Sequence, residues 1–552
     1  MRAKRLLAGV AAVATLTGGA AVAGPVPGAG AGPAEPAVPD RAAEATFSRL
    51  GDAELWERIA ASGGDAVVGL KAGDDRRGVW KGRVLVSPAE RAAAERRVRA
   101  TPGVQVVGAG GGGDLPVVAV EVAGPGAVAA LRRLPQVDYL EPRRLDAGLH
   151  AGAPGCVEKA EDEWRGGVAY AGPGAKDAAG DLVPWNFDHH KVRDAWRRSA
   201  GAGVTVGVVD TGVYREQREL NEDFATGMST GRSIAQLNTS ASSTLYDECN
   251  HGTRMISTVA GPRNGRDLVG VAWKANIVSV KAQNDVVLDS GDSAYAARAI
   301  SAAAYRSRIV TMAFGHPFDW HSNVADTIRY HHYNRGVLFV AAAGTKPSWI
   351  GCGVIFPAKM AEVVAVAGAL PSGAIHPESC NGPEVDAKAV IGDWDPKVEV
   401  PASGRHQGHL VNMGGSSEAT AVVSGIAALV WSKYPAWTRD QVRNRLLASR
   451  TTGGVDAYAA VGGFTSLYVE GPTSVEPGTT YTLTARPRGD GPFSYLWSSG
   501  ETTPSITRTA GPVRTSQTAS VTVTDLSENR SLSASKTVTS EYDLGDCIRY
   551  CP

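Results

Sequence analysis

The sequence predicts an α/β fold built on a doubly wound, mostly parallel sheet, with a small α+β domain before it and a β-sandwich after it. Three observations predict this order. Over residues 183–462, β-branched apolar runs alternate with helical patterns, as expected of strands covered on both faces. Residues 63–150 interleave short strand and helix signals, which suits a small open-faced sandwich. From residue 464 to 540 only short alternating strands and turn residues remain.

Composition bounds the reading first. The chain has 552 residues, enough for three or four domains at ~150 residues each. Lysine and arginine total 56, aspartate and glutamate total 56, and the formal net charge is zero. That balance excludes a protein that depends on long-range attraction to nucleic acid or to an anionic membrane. A 43% hydrophobic and 20% charged composition is globular rather than disordered.

At the amino terminus a basic start, Met1 to Arg5, precedes the apolar run Leu6 to Leu16 and the small-residue site Ala21-Val22-Ala23. That order predicts a signal peptide over 1–23 and a secreted, extracellular protein. The run is shorter than the ~20 residues a spanning helix needs, and no later segment reaches that length, so no membrane span is expected. Residues 24–62 read as a Pro/Gly/Ala linker followed by a short helix.

In the α+β block, Ala66 to Leu70, Arg83 to Val86, Val117 to Val122 and Val137 to Leu140 read as strands. Ser87-Pro88-Ala89-Glu90 opens a helix with a serine cap, proline in the first helical position and glutamate three after the cap. Gly126 to Leu134 reads as a second helix, and residues 151–182 as a linker. In the α/β block the strands are Val204 to Val209, Ile277 to Lys281, Ile309 to Met312, Val337 to Ala343 and Val363 to Val366. Helices are expected over Ala294 to Tyr305, Val324 to Asn334 and Ser417 to Tyr434, and over Thr438 to Leu447, where Thr438 and Gln441 stand at capping-box spacing. The paired histidines His189-His190 and His331-His332 read as packing or surface residues. In the last block Tyr481 to Ala485, Phe493 to Trp497 and Ala519 to Thr524 alternate as strands, with Trp497 the expected core tryptophan.

Six cysteines, an even number in an exported chain, predict disulfides. Cys352 with Cys380 is the preferred pair, Cys547 with Cys551 closes a loop in the tail 541–552, and Cys156 is left with Cys249. None of these spacings matches a structural zinc motif, and no metal site is assigned.

Three short motifs bear chemistry. Gly207-Val208-Val209-Asp210-Thr211-Gly212 ends a buried strand in an aspartate, where open α/β sheets place their sites. Asn250-His251-Gly252-Thr253 precedes a helical pattern, and Gly415-Ser416-Ser417-Glu418-Ala419 opens the long helix. Singly each is weak: such an aspartate caps turns, such a serine caps helices. Together they occur in the chain order Asp, His, Ser, which is that of subtilisin. On these residues, on Gly270-Val271-Ala272 and on Ser379-Cys380-Asn381-Gly382-Pro383, nearly all of 183–462 resembles the subtilases, subtilisin-like serine peptidases.

The resemblance implies a secreted serine endopeptidase acting on polypeptides through an acyl-enzyme. Ser417 is its nucleophile, His251 its base, and Asp210 orients the imidazole. The domain over 63–150 is then similar to a subtilase propeptide, an intramolecular chaperone and inhibitor cut off around Leu149 to Ala153. Substrate backbone is expected along Ala313-Phe314-Gly315 on one side and Ala343-Gly344 on the other. The sandwich over 464–540 resembles the immunoglobulin-like modules appended to exported enzymes. No cofactor is required; the family admits structural calcium, but no Asp/Asn cluster here has the ligand spacing. One departure stands out. Subtilases usually carry an asparagine after the Ala-Ala-Gly run to hold the oxyanion, and here Thr345 stands there, with the Ser417 amide as the other expected donor. The alternative reading is therefore a catalytically impaired subtilase scaffold serving as an exported binding module.

Overall fold

A computed structural model describes residues 47, 49–71, 88–109, 115–143, 176–284, 293–315, 322–345, 352–392 and 400–542. The first domain runs α1 (Asp52–Ala61), β1 (Asp65–Leu70), α2 (Pro88–Arg99), β2 (Val104–Ala109), β3 (Val117–Val122), α3 (Pro125–Arg133) and β4 (Val137–Pro142). Its antiparallel sheet has the order β2-β3-β1-β4. Alternation of side chains along β1 gives the sheet two apolar faces. Val68 packs with Leu55, Ile59, Val128 and Leu131 of α1 and α3, whereas Val67 faces the opposite way with Leu115, Val117 and Tyr139. The expected strand Arg83 to Val86 lies outside the described residues. Strand β2 was not expected.

The central domain begins with α4 (Asn186–His189) and α5 (Val192–Ala195), followed by β5 (Thr205–Asp210), β6 (Ile234–Asn238), α6 (His251–Ala260) and β7 (Asn276–Lys281). Then come α7 (Ser293–Ala304), β8 (Ile309–Met312), α8 (Ser322–Arg335), β9 (Leu338–Ala342), β10 (Val363–Ala369) and β11 (Val385–Val390). The hairpin β12 (Val400–Ser403) and β13 (Leu410–Met413) leads into the long α9 (Gly415–Lys433) and α10 (Arg439–Ala448). A short hairpin, β14 (Arg450–Thr451) and β15 (Gly454–Val455), and α11 (Ala457–Ala460) complete the domain.

Seven strands form one parallel sheet in the order β11-β10-β9-β8-β5-β7-β6. The two faces of β5 enter different cores, Val206 and Val208 with α6 and α9, Val209 with α7 and α8. That is the doubly wound arrangement the nearly continuous β-branched run predicts. The strand order turns at β5, which lies between β7 and β8, so its carboxyl end is the topological switch point. The capping box of α10 is made by Thr438 and Gln441.

The last domain packs a sheet of order β16-β18-β20 on one of order β17-β22-β21-β19. Its strands are β16 (Ser466–Glu470), β17 (Ser474–Val475), β18 (Thr480–Arg488), β19 (Phe493–Trp497), β20 (Ser505–Thr509), β21 (Ser516–Asp525) and β22 (Arg530–Ser540). Trp497 is buried between the sheets with Leu483, Val521 and Val523. Its indole donates to the Thr503 carbonyl at 2.9 Å, so the ring is buried without an orphaned donor.

Charged contacts join the domains. Glu141, at the end of β4, accepts from the Ser322 amide at 3.0 Å and from the Ser322 hydroxyl, capping the first turn of α8. At the other end of the chain Arg198 is buried against Asp525 and Glu528, themselves buried, while Arg445 Nη2 meets Asp490 Oδ1 at 2.9 Å. Among the described residues, no helix is long and apolar enough to cross a membrane.

Candidate active site

Asp210 is the last residue of β5 and is buried. Its Oδ1 accepts from the Thr211 amide at 2.8 Å and lies 2.8 Å from His251 Nδ1. Asp210 Oδ2 is also buried, with no hydrogen-bond partner among the described residues. A carboxylate so placed favours the tautomer that carries its proton on Nδ1 and leaves Nε2 as the acceptor. His251 opens α6, and its side chain stays 20% exposed, open enough to exchange a proton with a bound molecule.

The approach of the two segments depends on a missing side chain. A Cβ on Gly252 would lie 2.3 Å from the Gly212 carbonyl oxygen. Only glycine lets the turn after His251 pack on the turn after Asp210.

Ser417 is the third residue of α9, so its amide has no carbonyl within the helix to bond. Its hydroxyl donates to the Ala313 carbonyl at 3.4 Å. Ala313 follows β8, the neighbour of β5, in which Met312 pairs with Val209. That register sets Ser417 beside the strand end that presents Asp210. No hydrogen bond joins Ser417 to His251 in this structure.

Residues 313–315 and 343–345 follow the adjacent parallel strands β8 and β9. Ala313, Phe314, Gly315, Ala343 and Gly344 are all buried. The Phe314 ring packs in the core under α7 and α8, so this stretch offers backbone, not an aromatic wall. Gly344 N donates to Ser416 Oγ at 3.1 Å, and Thr345 Oγ1 accepts from Ser416 N at 3.1 Å, which ties the β9 turn to the first turn of α9. A Cβ on Gly415 would lie 2.7 Å from Thr345 Oγ1, so the threonine hydroxyl sits hard against that turn. Just beyond, Cys380 is joined to Cys352 by a disulfide. Cys249 is disulfide-bonded as well, and the expected partner Cys156 lies outside the described residues, as do Cys547 and Cys551.

Three site residues escaped the sequence reading. Asp247, buried, accepts at Oδ1 from Thr211 Oγ1, Cys249 N and Asn250 N, each at 2.9 Å, and at Oδ2 from Thr253 N at 2.9 Å and Thr253 Oγ1 at 2.6 Å. Thr211 in turn accepts from Gly252 N at 2.8 Å. One carboxylate therefore locks the loop on both sides of His251 to the residue after Asp210. Lys281, which pairs with Asp210 in the β5–β7 ladder, is fully buried and holds the same loop from below through the Tyr246 carbonyl at 2.7 Å and Glu248 at 2.8 Å. Glu418, next to Ser417, is buried and accepts from Asn186 Nδ2 at 2.6 Å and Gly392 N at 3.0 Å; burial pushes its carboxyl well above the usual range. The available signal was Asp247 itself, since an aspartate two and three residues before free amides is an Asx-turn pattern.

His190 lies between Val455 O and Val390 N, and His331 bonds Ser301, so both serve packing. Among the described residues, no group of three or more His, Cys, Asp or Glu side chains could hold a metal ion.

The family model described as "Subtilase family" matches residues 201–527, more than half of the chain. The thermostable alkaline protease of Halalkalibacterium halodurans is 31% identical over 275 residues, covering 49% of this chain and 68% of its own length. Subtilisin E of Bacillus subtilis is 30% identical over 267 residues, covering 48% of this chain and 64% of its own. Alignment thus spans about two thirds of each relative. Among solved structures, fervidolysin from Fervidobacterium pennivorans, described as a keratinolytic enzyme related to subtilisin, aligns with a TM-score of 0.52 at 16% identity, over 86% of this chain and 90% of that one. At that identity the likeness speaks for the fold.

Proposed function

Since the chain belongs to the subtilase family of serine peptidases, we propose that it is a secreted endopeptidase, made as a self-processed precursor, that hydrolyses polypeptides with Asp210, His251 and Ser417. The observation that supports this most is the buried Asp210–His251 hydrogen bond of 2.8 Å beside the first turn of α9. In the reaction Nε2 of His251 takes the Ser417 proton as the oxygen attacks the scissile carbonyl. The positive ring is stabilised by Asp210, and the proton then passes to the leaving amine. Water repeats the cycle on the acyl-enzyme. A fluorophosphonate probe should label the wild-type protein and leave Ser417→Ala unlabelled; equal labelling of both would end the proposal.

The oxyanion formed in attack needs donors. The Ser417 amide at the helix start is one. Thr345 suits the second role if Ser416 Oγ, which already accepts from Gly344 N, donates to Thr345 Oγ1 across their 3.1 Å contact, because the threonine proton is then free to point at substrate. Thr345→Val is expected to lower kcat by roughly ten- to a hundred-fold with KM little changed; the larger loss of ~10²–10³ belongs to subtilisin's asparagine. Unchanged kcat in both Thr345→Val and Thr345→Asn would remove the hydroxyl from the mechanism. The impaired-scaffold reading is the weaker one, because the aspartate, the histidine and the serine are all present.

The domain over 63–150 fits an inhibitory propeptide docked on α7 and α8. Its contact has a pH dependence. Burial, with the nearby Asp326 adding to it, raises the Glu141 carboxyl from its ordinary 4.5 to about 8, against the lowering effect of the Ser322 hydrogen bonds. A raised carboxyl favours the docked state at low pH, and that contribution falls away as pH rises from about 4.5 through about 8. In the Ser417→Ala protein, trypsin added from outside should cut this domain faster at about pH 9 than at about pH 6. Glu141→Gln should flatten the difference.

A further inference from the structure

At the end of the sheet opposite Asp210, where β8 and β9 begin, there is a cavity of about 410 Å³. The turn between α7 and β8 supplies Tyr305, Arg306 and Arg308, the end of α8 supplies Arg335, and the facing helices supply Trp431 and Arg439. Arg439 is neutralised by Asp440, its Nε 2.8 Å from Oδ1. The other three arginines have no carboxylate partner among the described residues. They bond to backbone carbonyls instead: Arg306 to Ala302, Arg308 to Pro435 and Trp437, Arg335 to Tyr305.

Two of these cations lie over aromatic rings. The Arg308 guanidinium lies 4.1 Å from the Trp431 ring centre, and that of Arg335 lies 4.6 Å from the Tyr305 ring centre. Carbonyl tethers and ring contacts fix the side chains before any ligand arrives, so little rotamer freedom is lost on binding. Each guanidinium has five N–H donors, and the tethers occupy two on Arg308 and one each on Arg306 and Arg335. Three like charges around one concavity repel one another, and a multiply charged anion relieves that repulsion.

We infer that this cavity binds a doubly charged oxyanion: free phosphate or sulfate, or a phosphate monoester. Planar guanidinium forks match the oxygens of such a group better than ammonium does. The volume falls within the range of small-molecule sites, which leaves room for the organic part of an ester. Trp431 stands fourteen positions after Ser417, roughly 21 Å along α9, so the site is separate from the triad.

Calorimetric titration of the full chain carrying Ser417→Ala, at matched ionic strength, tests the assignment. Phenyl phosphate is expected to bind saturably at one site. The exposed Arg306→Gln/Arg335→Gln pair should weaken it at least ten-fold and, with Ser417 restored, leave peptide hydrolysis intact. Inorganic phosphate matching phenyl phosphate identifies the free oxyanion as ligand; a clear preference for the phenyl ester identifies a monoester. Phenyl sulfate reports whether the second charge matters. No heat beyond that of potassium chloride, or equal affinity in the double variant, overturns the site.

Discussion

Replacing His251 with alanine is expected to lower kcat toward a peptide p-nitroanilide by at least about 10⁴-fold while KM changes little. The reasoning is geometric. His251 Nδ1 is committed to Asp210 at 2.8 Å, which leaves Nε2 as the atom of the ring free to take the Ser417 proton in the proposed reaction. Without it the hydroxyl must lose its proton to water. On the proposed reading extended substrate is held by backbone along the strands, far less by this ring, so binding is expected to survive. For subtilisin, a relative, the corresponding loss is about 10⁶-fold, a scale borrowed and not obtained from this chain. The ring is partly exposed, so circular dichroism and Tm should stay near wild type. Retention of more than about a hundredth of wild-type kcat would deny His251 the role of base.

Asp247→Ala should damage both stability and turnover. It removes five hydrogen bonds to a buried carboxylate and leaves the amides of Cys249, Asn250 and Thr253 without that acceptor. Breaking such a network costs on the order of 3–5 kcal/mol, which for a domain of this size lowers Tm by roughly 10 °C. At temperatures where the variant is folded, kcat should still fall ten- to a hundred-fold, because His251 is no longer held to its working position. Asp247→Asn keeps one acceptor oxygen and should fall between. A variant with wild-type Tm and kcat would show that the loop holds itself.

Much of this was legible in the chain. β8 spans Ile309–Met312 and β19 spans Phe493–Trp497, the same limits their apolar patterns set. α7, α8 and α9 fall within about two residues of their predicted bounds because uninterrupted apolar faces and Pro435 mark them. Within the seven-stranded sheet, the strands that escaped, β6 and β11, are its two edges. An edge strand is half solvated, so Ile234-Ala-Gln-Leu-Asn238 and Val385-Asp-Ala-Lys-Ala-Val390 lack the continuous apolar run of a central one. In the site, the three residues proposed to react stood out by motif, whereas Asp247, Lys281 and Glu418 did not. Their importance lies in what they touch: Lys281 becomes informative only when folding buries it beneath the loop that leads to His251.

The clamp formed by Arg198 with Asp525 and Glu528 makes a point substitution harsher than an amputation. In Arg198→Ala, two enclosed carboxylates lose their counter-ion yet remain sealed in the seam, an uncompensated pair worth several kcal/mol. Cutting the chain near Gly463 takes both acids away and leaves one arginine free to hydrate. The shortened protein should therefore melt closer to wild type than the full-length substitution does, so deletion series alone would understate how firmly the two bodies are joined.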